Sequence, residues 1–153
     1  MIRKLYLAGP LFTTAERDFN AALARDLREL GYLVFLPQES EQRPPVTAGS
    51  IFDGDVAGID WADAVVGNMD GPDPDSGTCW ECGSVFRRKP VIVYRTDIRD
   101  ETPFGPFNLM MHVPAAKVLD CKWRTVAEVA SMIDDYITEY NDGFAGNPPD
   151  LCA

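Results

Sequence analysis

The sequence predicts an α/β fold, a three-layer αβα sandwich with a mostly parallel five-stranded sheet of the flavodoxin-like or Rossmann-like kind. The main observation is that short apolar runs alternate with segments of helical periodicity from one end of the 153-residue chain to the other. Strands separated by helices of about ten residues require right-handed crossovers, which make neighbouring strands parallel. Ligands of such sheets bind beyond the carboxyl ends of the strands, so the loops that follow the strands are where a site is expected.

The first third of the chain predicts a strand, a helix and a second strand. The first strand covers Lys4–Gly9 and ends in a Gly-Pro turn signal. Thr13 and Glu16 have the spacing of a capping box, and apolar residues then recur at helical spacing up to Gly31, a favourable helix stop. The apolar run Tyr32–Leu36 is the second predicted strand.

The middle of the chain continues the alternation. Glu39–Ser50 is polar, aperiodic and contains two prolines, which indicates a loop. Phe52–Ala62 predicts a short helix, and Ala64–Met69 is the third predicted strand. The segment Asp70–Gly77 is rich in Asp, Pro and Gly and indicates a second loop.

The last part of the chain predicts two further strands and two helices. Thr78–Arg88 is expected to be helical and Pro90–Tyr94 to be the fourth strand. Thr96–Met111 indicates a long loop rich in Pro and Phe, and Lys117–Leu119 a fifth strand. Apolar residues at helical spacing over Val126–Ile137 predict the final helix.

Length and composition narrow the function. The chain fits one domain, expected over residues 1–140, with a flexible Gly/Pro-rich tail over residues 141–153. Lys and Arg number 14 against 24 Asp and Glu, and the net charge of −10 disfavours nucleic-acid and membrane partners. The sequence has no apolar run of bilayer length and no signal-peptide pattern, so a cytoplasmic location is expected. One histidine and four scattered cysteines disfavour a zinc site.

The turn after the first strand argues against the common nucleotide-binding motifs. It contains Gly9 but neither the G-x-G-x-x-G of a dinucleotide site nor the pattern of a P-loop. Pro10 and Phe12 would also obstruct a cradle of backbone amides. Phe12 either lines a pocket or is a core aromatic residue.

Two carboxylates stand out among many that the net charge explains as surface groups. Asp75 lies in the loop after the third strand, and Glu81 lies in what is predicted to be the first turn of the next helix. The helix dipole would favour the ionised form of Glu81, a competent nucleophile or electrostatic stabiliser. The alternative is an ordinary first-turn glutamate. Burial of this turn is expected from its apolar neighbours Trp80, Cys82, Val85 and Phe86.

Two other features allow more than one interpretation. Cys79 and Cys82 form a C-x-x-C at a helix start, which is typical of a redox pair but also of small residues that pack a helix. Glu81 between them would raise the thiol pKa values and oppose reactivity. The aromatic and methionine residues of Phe104–Met111 either cap the pocket or pack against another subunit.

Four motifs resemble the nucleoside 2-deoxyribosyltransferase family, in the family's order, over the chain up to about Asn141. They are Tyr6–Phe12 (YLAGPLF), Asp55–Ile59 (DVAGI), Asp75–Gly83 (DSGTCWECG) and Pro106–Met110 (PFNLM). The resemblance implies transfer of 2-deoxyribose between nucleobases by double displacement, in nucleoside salvage, without a metal or cofactor. Its substrates would be 2′-deoxynucleosides and free nucleobases.

The resemblance also implies the roles of individual residues. Glu81 would attack C1′ and hold a covalent deoxyribosyl intermediate, Tyr6 would orient Glu81, and Asp55 would be the general acid/base for the nucleobase. Asp75 would bind the sugar hydroxyls, and Asn108 would reach the 5′-hydroxyl from a neighbouring subunit of a homo-oligomer, a dimer or a hexamer. Further substrate-binding positions would be Gly9, Phe12, Gln38 and Met110.

Two alternatives remain open. The 2′-deoxynucleoside 5′-monophosphate N-glycosidases share most of this site, pass the sugar to water and bind a phosphate, commonly with serine where this chain has Asn108. The apolar surroundings of Asn108 favour a neutral 5′-hydroxyl, although Arg43, Arg87 and Arg88 could serve a phosphate. The second alternative is a thiol-redox or nucleoside-binding module without transferase activity.

Overall fold

Five parallel strands form one sheet in the order β2-β1-β3-β4-β5. The structure is a computed structural model that describes residues 1–40, 46–99 and 105–144. The strands are β1 Lys4–Ala8, β2 Leu33–Phe35, β3 Ala64–Asn68, β4 Val91–Arg95 and β5 Lys117–Asp120. This order is flavodoxin-like and confirms the predicted fold class. The strand order reverses between β1 and β3, where such folds bind ligands.

The helices form a layer on each face of the sheet. They are α1 Thr14–Glu29, α2 Pro37–Ser40, α3 Ala48–Trp61, α4 Ser76–Ser84, α5 Leu109–His112 and α6 Val126–Phe144. Alternate residues of β1 point to opposite faces, so Leu5 and Leu7 lie in the core beneath α1 and α6, whereas Tyr6 and Ala8 lie in the core beneath α3 and α4. Tyr6 therefore faces the layer that carries the predicted carboxylates.

Helix caps explain where several elements begin. The Thr13–Glu16 capping box is present in both directions, as predicted. Thr47 and Ser50 form an equivalent box that starts α3, so the predicted loop Glu39–Ser50 contains the end of α2 and the first turn of α3. Residues 41–45 of that segment lie outside the described residues.

Two other segments differ from the sequence prediction. Asp75 caps α4, which begins at Ser76 and ends at Ser84 instead of covering Thr78–Arg88. The predicted loop Thr96–Met111 contains the start of α5, and its residues 100–104 lie outside the described residues.

The last helix continues past the expected start of the tail. The Asn141 side chain accepts a bond from the Ile2 amide at 2.7 Å and donates to the Ile2 carbonyl at 3.1 Å. This pair of bonds ties α6 to the start of β1. Residues 145–153, which include Cys152, lie outside the described residues. No helix in the described part of the chain is both long and apolar enough to cross a membrane.

Candidate active site

A short hydrogen bond joins Tyr6 and Glu81 where α4 packs on the sheet. The Tyr6 hydroxyl donates to Glu81 Oε1 at 2.6 Å. Tyr6 is fully buried in the middle of the sheet, so its ring has no freedom to leave the site. The bond therefore holds one oxygen of the glutamate in a defined place.

Asp75 is the N-cap of the helix that carries Glu81. Its Oδ2 accepts hydrogen bonds from the Thr78 amide at 2.8 Å and from the Thr78 hydroxyl at 3.1 Å. These bonds satisfy one of the free amides at the helix start and fix the carboxylate there. Sequence reasoning singled out Asp75 for its place in the loop but did not recognise it as a cap.

Asp55 approaches the same place from α3. It is partly buried, and its negative charge acts on both Tyr6 and Glu81, whose pKa values it raises. Asp75 acts on Glu81 in the same direction. Asp55, Asp75 and Glu81, called the acidic cluster below, are thus brought together from two helices around the hydroxyl of Tyr6.

Glu81 binds its proton more tightly than an ordinary glutamate. Burial raises its pKa from 4.5 to about 7, the charges of Asp55 and Asp75 add to this, and the hydrogen bond from Tyr6 opposes it. The expectation that the helix dipole keeps Glu81 ionised is wrong, because α4 begins at Ser76 and places Glu81 in the second turn. A carboxyl group with a pKa near 7 is well matched to catalysis at neutral pH.

The raised pKa of Glu81 makes the stability of the protein depend on pH. Between about pH 4.5 and 7 the folded state retains a proton that the unfolded chain has released, so stability falls as pH rises through this window. A tenfold change in proton affinity is worth about 1.4 kcal/mol. We therefore expect Glu81→Gln to stabilise the protein by about 1–3 kcal/mol at pH 8.

The same substitution is expected to have little effect on stability at pH 4.5, where wild-type Glu81 is protonated in the folded state. Urea denaturation of both proteins at the two pH values, at one protein concentration, measures the difference. An equal effect of Glu81→Gln at pH 4.5 and pH 8 would contradict the raised pKa.

The two cysteines beside Glu81 are not activated thiols. Burial raises the pKa of Cys82, and the charge of Glu81 raises it further. Burial and the nearby carboxylates of Asp73 and Asp75 raise the pKa of Cys79. A redox pair needs at least one thiol of lowered pKa, so these raised pKa values disfavour the thiol-redox alternative. Cys82 fills the space above Gly67, where a β-carbon would lie 2.6 Å from its sulfur.

The aromatic neighbours of Glu81 are more exposed than predicted. Cys82 and Val85 are buried, but Trp80 is 53% exposed and Phe86 is 51% exposed. Both lie away from the core because the sheet covers only one side of α4 and of the turn that follows it. The Trp80 ring instead packs against the Phe52 ring of α3, with the ring centroids 5.6 Å apart.

Gly9 and Gln38 are close-packed parts of the loops after β1 and β2. A β-carbon at Gly9 would lie 3.3 Å from Asn20 Oδ1, and Asn20 in turn donates to the carbonyl of Pro10 at 2.9 Å. Gln38 Nε2 donates to the carbonyl of Arg17 at 3.0 Å, whereas its Oε1 is buried with no hydrogen-bond partner among the described residues. That oxygen is a free acceptor.

Phe12, Asn108 and Met110 lie on the surface. Phe12 is 80% exposed, so it is not the core residue that the sequence allowed. Asn108 caps the short helix α5, accepting a bond from the Met110 amide at 3.0 Å, and Met110 is 72% exposed. Within the described part of the chain, none of the three has a hydrogen bond to the acidic cluster.

A cavity of about 480 Å³ lies between α4 and α5, next to the acidic cluster but separate from it. None of the acidic cluster lines it. Its walls are mainly apolar: Cys82, Gly83, Phe86, Arg87, Lys89, Pro90, Val91, Leu109, Met110, Met111, Val113, Pro114, Ala115 and Ala116.

Sequence reasoning missed two residues that hold the Tyr6 ring in place by packing. Phe35 of β2 stacks on the Tyr6 ring, with centroids 5.4 Å apart and planes 14° apart. Gly58 of α3 lies directly against Phe35. A glycine inside a helix was the one available signal, since such a glycine often marks a close approach.

In the described segments, no group of three or more His, Cys, Asp or Glu residues is arranged to hold a metal.

Two comparisons with known proteins identify the family of this chain. A model of the family described as nucleoside 2-deoxyribosyltransferase matches residues 5–111, which include Tyr6 and the whole acidic cluster. The match ends short of Asn141, the limit expected from the motifs. A 2-deoxyribosyltransferase from Bacillus psychrosaccharolyticus is 31% identical, with 83% of this chain and 90% of that chain covered and a TM-score of 0.63.

Two further solved structures share the fold at lower identity. A conserved protein from Enterococcus faecalis V583 gives a TM-score of 0.68 at 23% identity, covering 89% of this chain and 99% of that chain. The CMP N-glycosidase of Clostridium botulinum gives 0.61 at 17% identity, covering 87% and 98%. No significant match was found among curated proteins.

Proposed function

The chain belongs to the nucleoside 2-deoxyribosyltransferase family, and on that premise we propose that it transfers 2-deoxyribose from a 2′-deoxynucleoside to a free nucleobase. The observation that carries the proposal is the 2.6 Å hydrogen bond from Tyr6 to Glu81 within the acidic cluster. It supplies a positioned carboxylate with a second carboxyl group, Asp55, close by. A pair of carboxyl groups is the machinery of glycosidic-bond chemistry.

The reaction takes two displacements at C1′. In the first, Glu81 forms a bond to C1′ as the N-glycosidic bond breaks, and the departing base takes the bonding electron pair and a proton from Asp55. In the second, the incoming base attacks C1′, Glu81 leaves as a carboxylate, and Asp55 recovers a proton from the base. Two inversions give net retention, as in retaining glycosidases. Tyr6 stabilises the carboxylate by donating to one of its oxygens.

The charge of the site favours a neutral nucleoside over a nucleotide. The acidic cluster would repel a phosphate. Arg88 donates to the carbonyl of Ser84 and lies 4.0 Å from Asp60, and the Arg87 guanidinium lies over the Phe86 ring. Arg43 lies outside the described residues. The CMP N-glycosidase of Clostridium botulinum shares the fold, and a shared fold does not by itself favour hydrolysis over transfer.

Incubation of the purified protein with deoxyinosine and adenine tests the proposal, with chromatography of the products. Parallel reactions contain deoxyinosine alone and deoxyinosine monophosphate alone, and thymidine serves as a second donor. Deoxyadenosine and hypoxanthine are the expected products of the first reaction. Hypoxanthine released mainly from the monophosphate, without exchange, would favour the hydrolase. Cys79→Ser serves as a matched control and is expected to retain exchange.

We also propose that the active form is a homo-oligomer in which Asn108 reaches a neighbouring site. Asn108 sits beside an apolar surface formed by Phe86, Leu109, Met110 and Val113, each at least half exposed. Exposed apolar side chains around one cavity are typical of a surface that another chain covers. A second copy would also bring an amide to the acidic cluster, to which Asn108 of the same chain has no hydrogen bond among the described residues.

Mixing two inactive variants tests this arrangement. Glu81→Gln lacks the nucleophile and Asn108→Ala lacks the amide, so each is expected to be strongly impaired on its own. After the two are unfolded and refolded together, mixed oligomers contain sites with both Glu81 and Asn108, and part of the exchange activity should return. Activity that stays at the level of the separate variants, in oligomers shown to be mixed, would contradict the shared site.

A further inference from the structure

Gly58 allows α3 to rest directly on an aromatic ring of the sheet. A β-carbon at this position would lie 2.7 Å from Cδ1 and Cε1 of Phe35 and 2.8 Å from its Cγ. Carbon atoms in contact are about 3.5–4.0 Å apart, so any other residue at position 58 would push the ring or the helix away. Gly54, one turn earlier in α3, has nothing within 4 Å of the corresponding position.

The Phe35 ring links Gly58 to Tyr6. Phe35 and Tyr6 are register partners on adjacent parallel strands, and their rings stack with centroids 5.4 Å apart. Phe35 therefore contacts both Gly58 and Tyr6. Phe35 is half-buried and its ring is stacked on the fully buried Tyr6, so we expect a displacement of the Phe35 ring to shift Tyr6 or α3.

Both outcomes would disturb the reacting groups. The Tyr6 hydroxyl is 2.6 Å from Glu81 Oε1, so a small shift of the ring breaks that bond. Asp55 lies one turn before Gly58 on the same helix, so a shift of α3 moves the second carboxyl group instead. The contact between Gly58 of α3 and Phe35 of β2 thus influences where Asp55 and the Tyr6 hydroxyl lie relative to Glu81.

We propose that Gly58 and Phe35 are positioning residues. Together they form a spacer that holds the Tyr6 hydroxyl next to Glu81 and holds α3 at its distance from these two residues. The inference rests on the proposed catalytic role of Glu81, whether the sugar is passed to a base or to water. This positioning role explains why position 58 is a glycine, although a glycine inside a helix lowers the stability of the protein. Neither residue touches substrate in this account.

The pH profile tests the spacer through the pKa of Glu81, which depends on its described neighbours. Tyr6 of β1 donates to it, Asp55 of α3 and Asp75 at the start of α4 face it with negative charge, and the thiol of Cys82 is its neighbour on α4. Among the described residues, Tyr6 is the one whose hydrogen bond lowers the pKa of Glu81. Loss of that bond alone should therefore move the acid limb of the rate profile, normally near pH 7, to higher pH.

The test compares Gly58→Ala with the matched control Gly54→Ala, each measured as kcat and KM across pH. Gly58→Ala is expected to lower kcat roughly 10–100-fold with little change in KM and to move the acid limb upward. Gly54→Ala is expected to retain wild-type kcat and the wild-type profile. In a Tyr6→Phe background, which lacks the hydroxyl, Gly58→Ala should no longer move the limb.

Phe35→Leu keeps the test decisive if Gly58→Ala does not fold. It removes the stacked ring without adding bulk, so it should also move the acid limb upward when Tyr6 is present. In the Tyr6→Phe background, where the hydroxyl is already missing, Phe35→Leu should leave the limb in place. Combined with Gly58→Ala it should relieve the clash, so the double variant should be no worse than Phe35→Leu alone.

Two results would overturn the inference even where Gly58→Ala loses activity. One is a fall in kcat with no movement of the acid limb in either direction, since a shift of α3 that withdraws Asp55 would lower the pKa of Glu81. The other is an equal upward movement in the Tyr6→Phe background. If the wild-type protein shows neither exchange nor base release, the proposed function fails instead. If the wild-type protein exchanges bases and Gly58→Ala behaves like Gly54→Ala, the spacer role is contradicted and the proposed function is not.

Discussion

Glu81→Gln is expected to reduce base exchange on the order of 10³-fold or more. The glutamine amide has nearly the shape of the carboxyl group, and its oxygen can still accept the Tyr6 bond that Glu81 Oε1 accepts at 2.6 Å. What it loses is the negative charge that attacks C1′. Exchange between deoxyinosine and adenine measures the loss, and Glu29→Gln, an exposed site at the end of α1, is the matched control with unchanged activity.

A second nucleophile variant separates a chemical role from a positional one. Glu81→Ala leaves a space beside Tyr6, and added azide is expected to enter it and restore base release, with deoxyribosyl azide as the product. Restoration would show that the missing group is a nucleophile. Full activity of Glu81→Gln, or of Glu81→Ala without azide, would contradict the proposed role.

Asp55→Asn is expected to reduce exchange by roughly 10²–10⁴-fold, the usual contribution of a general acid or base. The acidic cluster explains the size of the effect, because Asp55 is the carboxyl group from α3 that faces both Tyr6 and Glu81. Asparagine can still hydrogen-bond the base but cannot give it a proton. The loss should therefore be smaller for donors whose base leaves readily without protonation.

Asp53→Asn provides the control for this experiment. Asp53 lies two residues earlier on α3 and is exposed, so its replacement changes the net charge equally without touching the cluster. It should retain wild-type exchange. A loss as large as that of Asp55→Asn, or a loss by Asp55→Asn that is the same for every donor base, would contradict a proton-transfer role.

The sequence predicts the fold, and which of the singled-out residues could lie together, better than it predicts the electrostatics of the site. The alternation of apolar runs and helical periodicity is local information, as is the Thr13–Glu16 capping box, and both are confirmed. The pKa of Glu81 is different, because it depends on burial and on Asp55, which is far away in the sequence. Its prediction failed for that reason and because α4 starts two residues earlier than expected.

Other features of the site depend on packing that leaves little trace in the sequence. Phe35 belongs to a three-residue strand and has no neighbour that marks it as a support for Tyr6. Trp80 and Phe86 are apolar but half exposed, because α4 and the turn after it carry more apolar residues than one face of the sheet can cover. Periodicity alone does not say which apolar face a sheet covers.

Mass spectrometry of the quenched enzyme shows whether Glu81 carries the sugar between the two displacements. The enzyme is mixed with deoxyinosine without an acceptor base, stopped with acid during turnover and digested. We expect the mass of one deoxyribosyl group to be added to the peptide that contains Glu81, and no such addition in Glu81→Gln. Exchange that proceeds while the adduct forms on another residue, or persists in Glu81→Gln, would contradict it.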